Sequence, residues 1–523
     1  MLGGMHTDAQ ACYRALASRD ARFDGRFFVA VTSTGIYCRP VCPAQTPKRE
    51  NVRFFPSAAA AEAAGFRACL RCKPHLAPAL PTAAGGTAVA DRALRLIAAG
   101  AADGRAGIAA VARTLEVSER HLHRVLCESV GAGPLTLARM RRLQTARTLI
   151  EQTSMPITDV AFSAGYSSLR QFNSEVRSGT GRPPTELRRR RAAAHDGEGA
   201  IVLRLGVRPP FDGTAVLSFL AARAVPGVEA FSAAVMTRAL SLPGGAAVVE
   251  LEPQPAQLLV RLWLDDVRDL GAAVDRCRRL FDVDADPEAI SAVLGSDEIL
   301  APMVCANPGL RVPGCVDAGE IAVRAVLGQQ VSVARATALA SQLSSRLGAP
   351  LARPRRGVER CFPSASAIAS ADLSGLGLTA ERAATLRRLA AALAAGEVDL
   401  GPGADRELAM QRLLALRGVG PWTAAYIAMR GLRDPDAFPS GDLGLRRSFE
   451  QAGGRGGPTE LATRAQRWRP WRAYATVHLW HQLTNPTTME TRRDHADHHR
   501  HDPVRRDVAD RVRALPARRL VHL

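Results

Sequence analysis

Leu414-Ala415-Leu416-Arg417-Gly418-Val419-Gly420-Pro421-Trp422-Thr423-Ala424 is the stretch on which the reading of the fold turns. Its two glycines permit positive φ in a tight turn, and Pro421 suits the first position of a following helix. The pattern is that of two helices joined by a short hairpin, whose backbone N–H groups can face a phosphate. Alone it is only moderately specific, since a plain helical turn looks similar. Further on, Phe438-Pro439-Ser440-Gly441-Asp442-Leu443-Gly444-Leu445 sets one carboxylate on a loop that leads into the next helix.

Hairpin, Gly/Pro-rich loop and aspartate together resemble the helix-hairpin-helix DNA glycosylases. Within that superfamily, residues 200–488 are most similar to the 3-methyladenine DNA glycosylase II (AlkA) family. Further matching words are Ser218-Phe219-Leu220-Ala221-Ala222-Arg223-Ala224-Val225, Pro313-Gly314-Cys315-Val316-Asp317, Val323-Arg324-Ala325-Val326-Leu327-Gly328-Gln329-Gln330-Val331-Ser332-Val333 and Trp468-Arg469-Pro470-Trp471-Arg472-Ala473-Tyr474-Ala475. The resemblance implies that Asp442 is the catalytic carboxylate. It implies that Trp422, Tyr426, Trp480 and Phe219 wall a base pocket, with Gln329 beside them. It also implies that Gly418 and Gly420 meet the DNA backbone. The wedge that fills the gap left by a flipped nucleotide is often Leu in the family, and the position is Gln330 here. Carbonyls of Leu414, Leu416 and Val419 are implied as ligands of a monovalent cation.

The chemistry is consistent. An N-alkylated purine is cationic, so its glycosidic bond is already activated. One carboxylate can then stabilise an oxocarbenium-like sugar and orient water. An electron-poor base stacks on Trp and Tyr faces, and it must be flipped out of the duplex to reach them. Four of the five tryptophans follow residue 420; for Trp468 or Trp471 a plain core role is the simpler reading. The bifunctional members of the superfamily use a Schiff-base lysine just after the hairpin, where Trp422 stands. No lysine follows Lys73, so a monofunctional enzyme that leaves an abasic site uncut is expected. No four-cysteine cluster follows the hairpin region, so no iron–sulfur cluster is expected either.

At the other end, Cys38-x3-Cys42 and Cys69-x2-Cys72 form two close pairs. Two short-spaced thiolate pairs supply the four soft ligands of a tetrahedral zinc site. The competing reading, two disulfides, requires a secreted domain, and the N-terminus lacks the layout of a signal peptide. Residues 8–76, with Gly35-Ile36-Tyr37-Cys38-Arg39-Pro40-Val41-Cys42-Pro43 and Ala64-Gly65-Phe66-Arg67-Ala68-Cys69-Leu70-Arg71-Cys72-Lys73-Pro74, resemble the Ada-type methylphosphotriester repair domain. That resemblance implies Cys38 as acceptor of a methyl group from an alkylated DNA phosphate. Loss of one negative charge on methylation would then ease repulsion from DNA.

Between these ends, 105–127 and 154–177 read as two helix-turn-helix units, with Ser118 and Ser167 as caps of their second helices. Residues 88–191 resemble the DNA-binding domain of AraC-type regulators. Polar residues able to reach DNA are Ser118, Arg120 and Arg124, then Ser168, Arg170 and Gln171. From Thr82 to His195 there are 17 Arg and 9 Asp+Glu, a phosphate-binding balance.

The whole chain has 523 residues, a net charge of +19 and a pI near 10.6, with Lys48 and Lys73 as its only lysines. The charge favours a polyanionic partner, although Arg-, Ala- and Gly-rich genome composition could produce part of it. The apolar fraction of 47% excludes wholesale disorder, and no apolar run reaches membrane length. The expected fold class is multidomain α+β. Its parts are a small zinc α/β module (1–78), an all-α double helix-turn-helix domain (86–191), an α+β antiparallel-sheet domain (199–312) and an all-α helix-hairpin-helix glycosylase domain (313–490). Residues 77–88 read as a linker, 491–523 as a disordered tail containing His495, His498, His499 and His501, and the region after 315 as helical almost throughout. The function expected is DNA alkylation repair joined to transcriptional regulation. The expected partners are double-stranded DNA, alkylated DNA, a promoter operator and RNA polymerase, without a membrane, in a bacterial cytoplasm at the nucleoid. Two alternatives remain: a regulator with a catalytically inactive glycosylase half, or a glycosylase whose N-terminal half only targets DNA.

Overall fold

The computed structural model describes residues 8–20, 23–74, 88–103, 107–188, 199–454 and 457–484. The tail from 491, and all but the end residues of the 77–88 linker and the Arg188–Arg191 run, lie outside them. No helix among the described residues is long and apolar enough to cross a membrane.

The N-terminal module opens with helix Ala9–Ala17, capped by the Asp8 carboxylate. Its sheet runs in the order Val52–Phe55, Phe28–Val31, Ile36–Cys38, Arg67–Ala68. The first three strands are antiparallel, and Arg67–Ala68 pairs in parallel with Ile36–Cys38. That parallel pairing matters for the site, because it lays the strand carrying Cys38 beside the one leading to Cys69.

Among the described residues seven helices follow, with Pro134–Gln152 as their spine. Its Leu137 and Ala138 pack into the core of the first helix-turn-helix unit. Its Leu143, Ala146, Leu149 and Ile150 pack into the core of the second. The second helices, Glu119–Val130 and Leu169–Thr180, end at left-handed Gly131 and Gly181, positions where a side chain would be strained. Ser118 caps the former. The latter is capped by Ser168, whose backbone is extended and whose hydroxyl accepts from the Gln171 amide. Ser167 therefore does not cap this helix. It stands one residue too early for its oxygen to reach the first-turn amides, and its hydroxyl bonds the Gln171 side chain instead.

A five-stranded antiparallel sheet comes next, in the order Ile201–Gly206, Gln257–Leu264, Gly245–Gln254, Val235–Leu242, Glu229–Ser232. Val249, Leu251, Leu258, Val260 and Leu262 face the same core as helices Gly213–Ala221 and Leu270–Leu280. Beyond 315 the chain is helical with one exception. Strands Pro350–Arg355 and Val358–Arg360 form a hairpin through Arg356 and Gly357, both at positive φ. The expectation of helix almost throughout misses this hairpin, whose Leu351, Val358 and Cys361 cover the outer face of the sheet at Ala239 and Val248. Trp468 is fully buried in the helical core and Trp471 is 9% exposed.

The modules touch. Arg26 pairs with Asp286 at 2.5 Å and Glu288 at 3.1 Å, and Lys73 pairs with Glu151 at 2.5 Å. From helix Ala88–Ala98, Arg92 donates to the Gly403 carbonyl, and Arg95 to those of Pro402 and Ala404.

Candidate functional site

Helices Arg406–Ala415 and Pro421–Arg430 flank the glycine hairpin. Gly418 sits at φ +93°, where a Cβ would lie 2.0 Å from Thr385 Oγ1. Gly420 caps the second helix and Pro421 opens it. Gln329 straps a neighbouring turn to this hairpin, its side-chain amide donating to the Gly418 carbonyl and to Thr423 Oγ1. Gln330 is exposed beside it, at φ +53°.

A cleft of about 1490 Å³ opens at the hairpin. The structure brings Phe219, Gln329, Gln330, Trp422, Tyr426, Asp442 and Trp480 together around it, with Gly418 and Gly420 at its edge. Asp442 is the N-cap of helix Leu443–Gln451, and its Oδ1 accepts from the Leu445 amide at 2.8 Å. The same oxygen accepts from Trp480 Nε1 at 3.0 Å, and Oδ2 accepts from Trp422 Nε1 at 2.9 Å. Two indoles from different helices thus hold one carboxylate in a fixed orientation. Trp422 stacks on Tyr426 with centroids 5.4 Å apart, and Phe219 on Trp480 at 6.2 Å, each pair 17° from parallel.

Two residues given no role from sequence stand behind the aromatics. Arg430 is buried and donates to the Pro313 and Gly314 carbonyls and to the Tyr426 hydroxyl. Arg223 lies 3.8 Å over the Phe219 ring. Burial pushes the Tyr426 phenol up, but Arg430 and Arg223 beside it outweigh this and leave its pKa below the usual value. The signal was present in the sequence: each arginine follows its aromatic partner by one helical turn, Phe219 to Arg223 and Tyr426 to Arg430.

The second site is the thiol cluster. The sulfur atoms of Cys38, Cys42, Cys69 and Cys72 all lie within 4.8 Å of one another. Four thiolates this close repel unless a cation lies between them, and soft tetrahedral donors fit zinc. Cys38 is half-buried and the other three are buried. Arg39 secures the cluster, its amide donating to Cys72 Sγ and its guanidinium to the Cys72 carbonyl and to Asp24. The helix-turn-helix candidates lie apart from both sites. Arg120, Arg124 and Arg170 are exposed on their helices, Ser118 and Ser168 act as caps, and Gln171 donates to Glu175.

Four family descriptions match the chain: "Metal binding domain of Ada" over 11–75, "Helix-turn-helix domain" over 111–190, "AlkA N-terminal domain" over 202–317, and "HhH-GPD superfamily base excision DNA repair protein" over 323–473. A Mycobacterium tuberculosis protein named "Probable bifunctional transcriptional activator/DNA repair enzyme AlkA" is 49% identical over 489 residues, spanning 93% of this chain and 98% of its own. "DNA-3-methyladenine glycosylase 2" of Escherichia coli is 36% identical over 282 residues, which are 53% of this chain and 96% of that one. "Bifunctional transcriptional activator/DNA repair enzyme Ada" of Escherichia coli is 34% identical over 173 residues, 32% of this chain and 47% of that one. With an Ada-type metal-binding domain, a helix-turn-helix regulator domain and an AlkA-type glycosylase in one polypeptide, the chain belongs to the family of bifunctional transcriptional activator/DNA repair enzymes AlkA.

Proposed function

We propose that the chain is a monofunctional DNA glycosylase that releases 3-methyladenine-type bases and also records phosphate damage by methyl transfer to Cys38. The observation that carries the first part is the Asp442 carboxylate, held by both indoles at the rim of an aromatic pocket. A flipped cationic base stacks among Trp422, Tyr426, Trp480 and Phe219, while Gln329 and Gln330 shape the rim. The bond from C1′ to the base nitrogen breaks, its electron pair neutralises the base, and Asp442 stabilises the positive sugar and orients water. The absence of any lysine after Lys73 supports the lack of a lyase step.

In the N-terminal module, zinc bound by the four cysteines would hold their sulfurs as thiolates at neutral pH. The Cys38 sulfur attacks the methyl carbon of a phosphotriester. An S–C bond forms, the C–O bond breaks, and the electron pair restores the phosphate's negative charge. Regulation follows through a promoter operator read by residues including Arg120, Arg124, Arg170 and Gln171, with RNA polymerase as partner. Gly418, Gly420, Ser118 and Ser168 are assigned to backbone contacts. The carbonyls of Leu414, Leu416 and Val419 are assigned to a monovalent cation. The boundaries proposed are 1–78, 86–191, 199–312 and 313–490, and the setting a bacterial nucleoid.

The test is release of 3-methyladenine from methylated DNA by wild type and Asp442→Asn. A fall of about 100-fold or more is expected, and equal release overturns the assignment. Mass spectrometry after incubation with methylphosphotriester DNA reads the second part, with one added methyl expected on Cys38.

A further inference from the structure

Among the described residues that line the cleft, two stand in the left-handed region: Gln330 at φ +53° and Gly418 at φ +93°. Glycine adopts that backbone freely, but glutamine does so only where its surroundings hold it. For both turns the holding groups come from one helix, Ala380–Ala394. Its Arg382 Nη2 donates to the Gln329 carbonyl at 2.6 Å, and its Arg388 Nη2 donates to the Arg417 carbonyl at 2.9 Å. Each of these carbonyls belongs to the peptide that precedes a left-handed residue. The same helix carries Thr385, against which Gly418 packs.

A peptide is planar, so fixing its carbonyl oxygen also fixes the N–Cα bond about which the next residue's φ is set. The two arginines thus hold two turns, and six residues, about 9 Å of helix rise, set the spacing between them. The Gln329 side chain completes the frame by donating across to the Gly418 carbonyl. Gly418 can be left-handed without such help. Gln330, exposed beside the hairpin, cannot. A charge-assisted bond to the carbonyl just before it offsets that strain.

We propose that Arg382 is a positioning residue for base flipping: it holds the Gln329–Gln330 peptide so that the Gln330 side chain is pre-set to enter the place a nucleotide vacates when its base moves into the cleft. This rests on the glycosylase reading above. A base that leaves the duplex gives up its stack and its pairing, and it falls back unless something fills the gap. A side chain already held in the filling orientation has less freedom to lose at that moment. Arg382 acts through Gln330 and takes no part in the bond-breaking step.

The experiment is a double-mutant cycle on the full chain, read as single-turnover release of 3-methyladenine from methylated duplex DNA. Arg382→Met is expected to slow release roughly 10- to 100-fold, the range that one charge-assisted hydrogen bond supplies. Gln330→Gly removes the side chain and the strain together and should slow release by a similar factor. Adding Arg382→Met to it should change the rate by less than about twofold. Arg382→Lys, which keeps a charged donor, should recover part of the loss. Affinity for an undamaged duplex, read by fluorescence anisotropy, tests whether Arg382 instead grips a phosphate; Arg382→Met is expected to leave it within about twofold of wild type. Losses that multiply in the double variant mean that Arg382 does not act through Gln330, and they overturn the proposal. So does a rate within about twofold of wild type for Arg382→Met or for Gln330→Gly, or a fall in undamaged-duplex affinity as large as the fall in rate. A wild type that releases no 3-methyladenine overturns the glycosylase reading itself, and the proposal falls with it.

Discussion

Asp442 serves two purposes that ordinarily separate: it caps a helix and faces the pocket. Its oxygens accept from Leu445, Trp480 and Trp422, so the pocket walls and the carboxylate position one another. Asp442→Ala leaves two indole N–H groups and a backbone amide without their acceptor. The expected cost is about 1–3 kcal/mol, seen as a lower denaturant midpoint with unchanged slope. Asp442, Trp422 and Trp480 were named through the resemblance to the glycosylase family, and the structure brings the three together in one cleft. Arg223 and Arg430 went unread although each stands four residues after its aromatic partner, because that spacing is common and only tertiary packing brings the two pairs to one pocket. The cap at Ser168 rather than Ser167 was lost for a smaller reason: both residues suit the role, and only the backbone decides between them.

At the scale of elements, the glycine hairpin is the most constrained. The Gly418 backbone is left-handed and its missing Cβ gives room to Thr385. A strain-free Gly→Ala change stabilises a fold by up to about 1 kcal/mol, whereas Gly418→Ala, strained and in collision with Thr385, should cost about 1–3 kcal/mol. It should also weaken binding to abasic-site DNA, measurable by fluorescence anisotropy beside a thermal melt. Helix Arg472–Thr484 carries both Trp480 and the buried His478. Burial, with His481 nearby, pulls the His478 pKa down to about 4. The unfolded chain binds that proton near pH 6.5, so between those values unfolding takes up a proton. Stability is then full above pH 6.5 and is lost as pH falls toward 4, by up to about 3 kcal/mol. Melting temperature measured from pH 7 to 4 should fall across that window, and less so in His478→Gln. Helices were legible from apolar spacing, whereas the hairpin Pro350–Arg360 was hidden by its prolines and arginines. Only the sheet face it covers explains why those residues are extended.

At the scale of the whole molecule, the order of the four parts was legible from motifs, and their docking was not. The arginines of helix Ala88–Ala98 grip carbonyls of 402–404, and Leu96 packs where a Gly403 side chain would stand. Nothing in a local pattern announces such a contact between distant segments. Replacing Arg92 and Arg95 together by Ala should uncouple the regions. Calorimetry is expected to show two unfolding transitions where wild type shows fewer, with base release little changed. The partial exposure of Cys38 among three buried partners has a different bearing. On the proposed chemistry one sulfur can be marked and its neighbours are shielded, so each molecule stores a single bit. A thioether is not reversed, while Asp442 returns unaltered after every turnover. A population of these chains is then a tally as well as a repair crew: the marked fraction counts damaged phosphates, and the bases cleared leave no trace on the protein that cleared them.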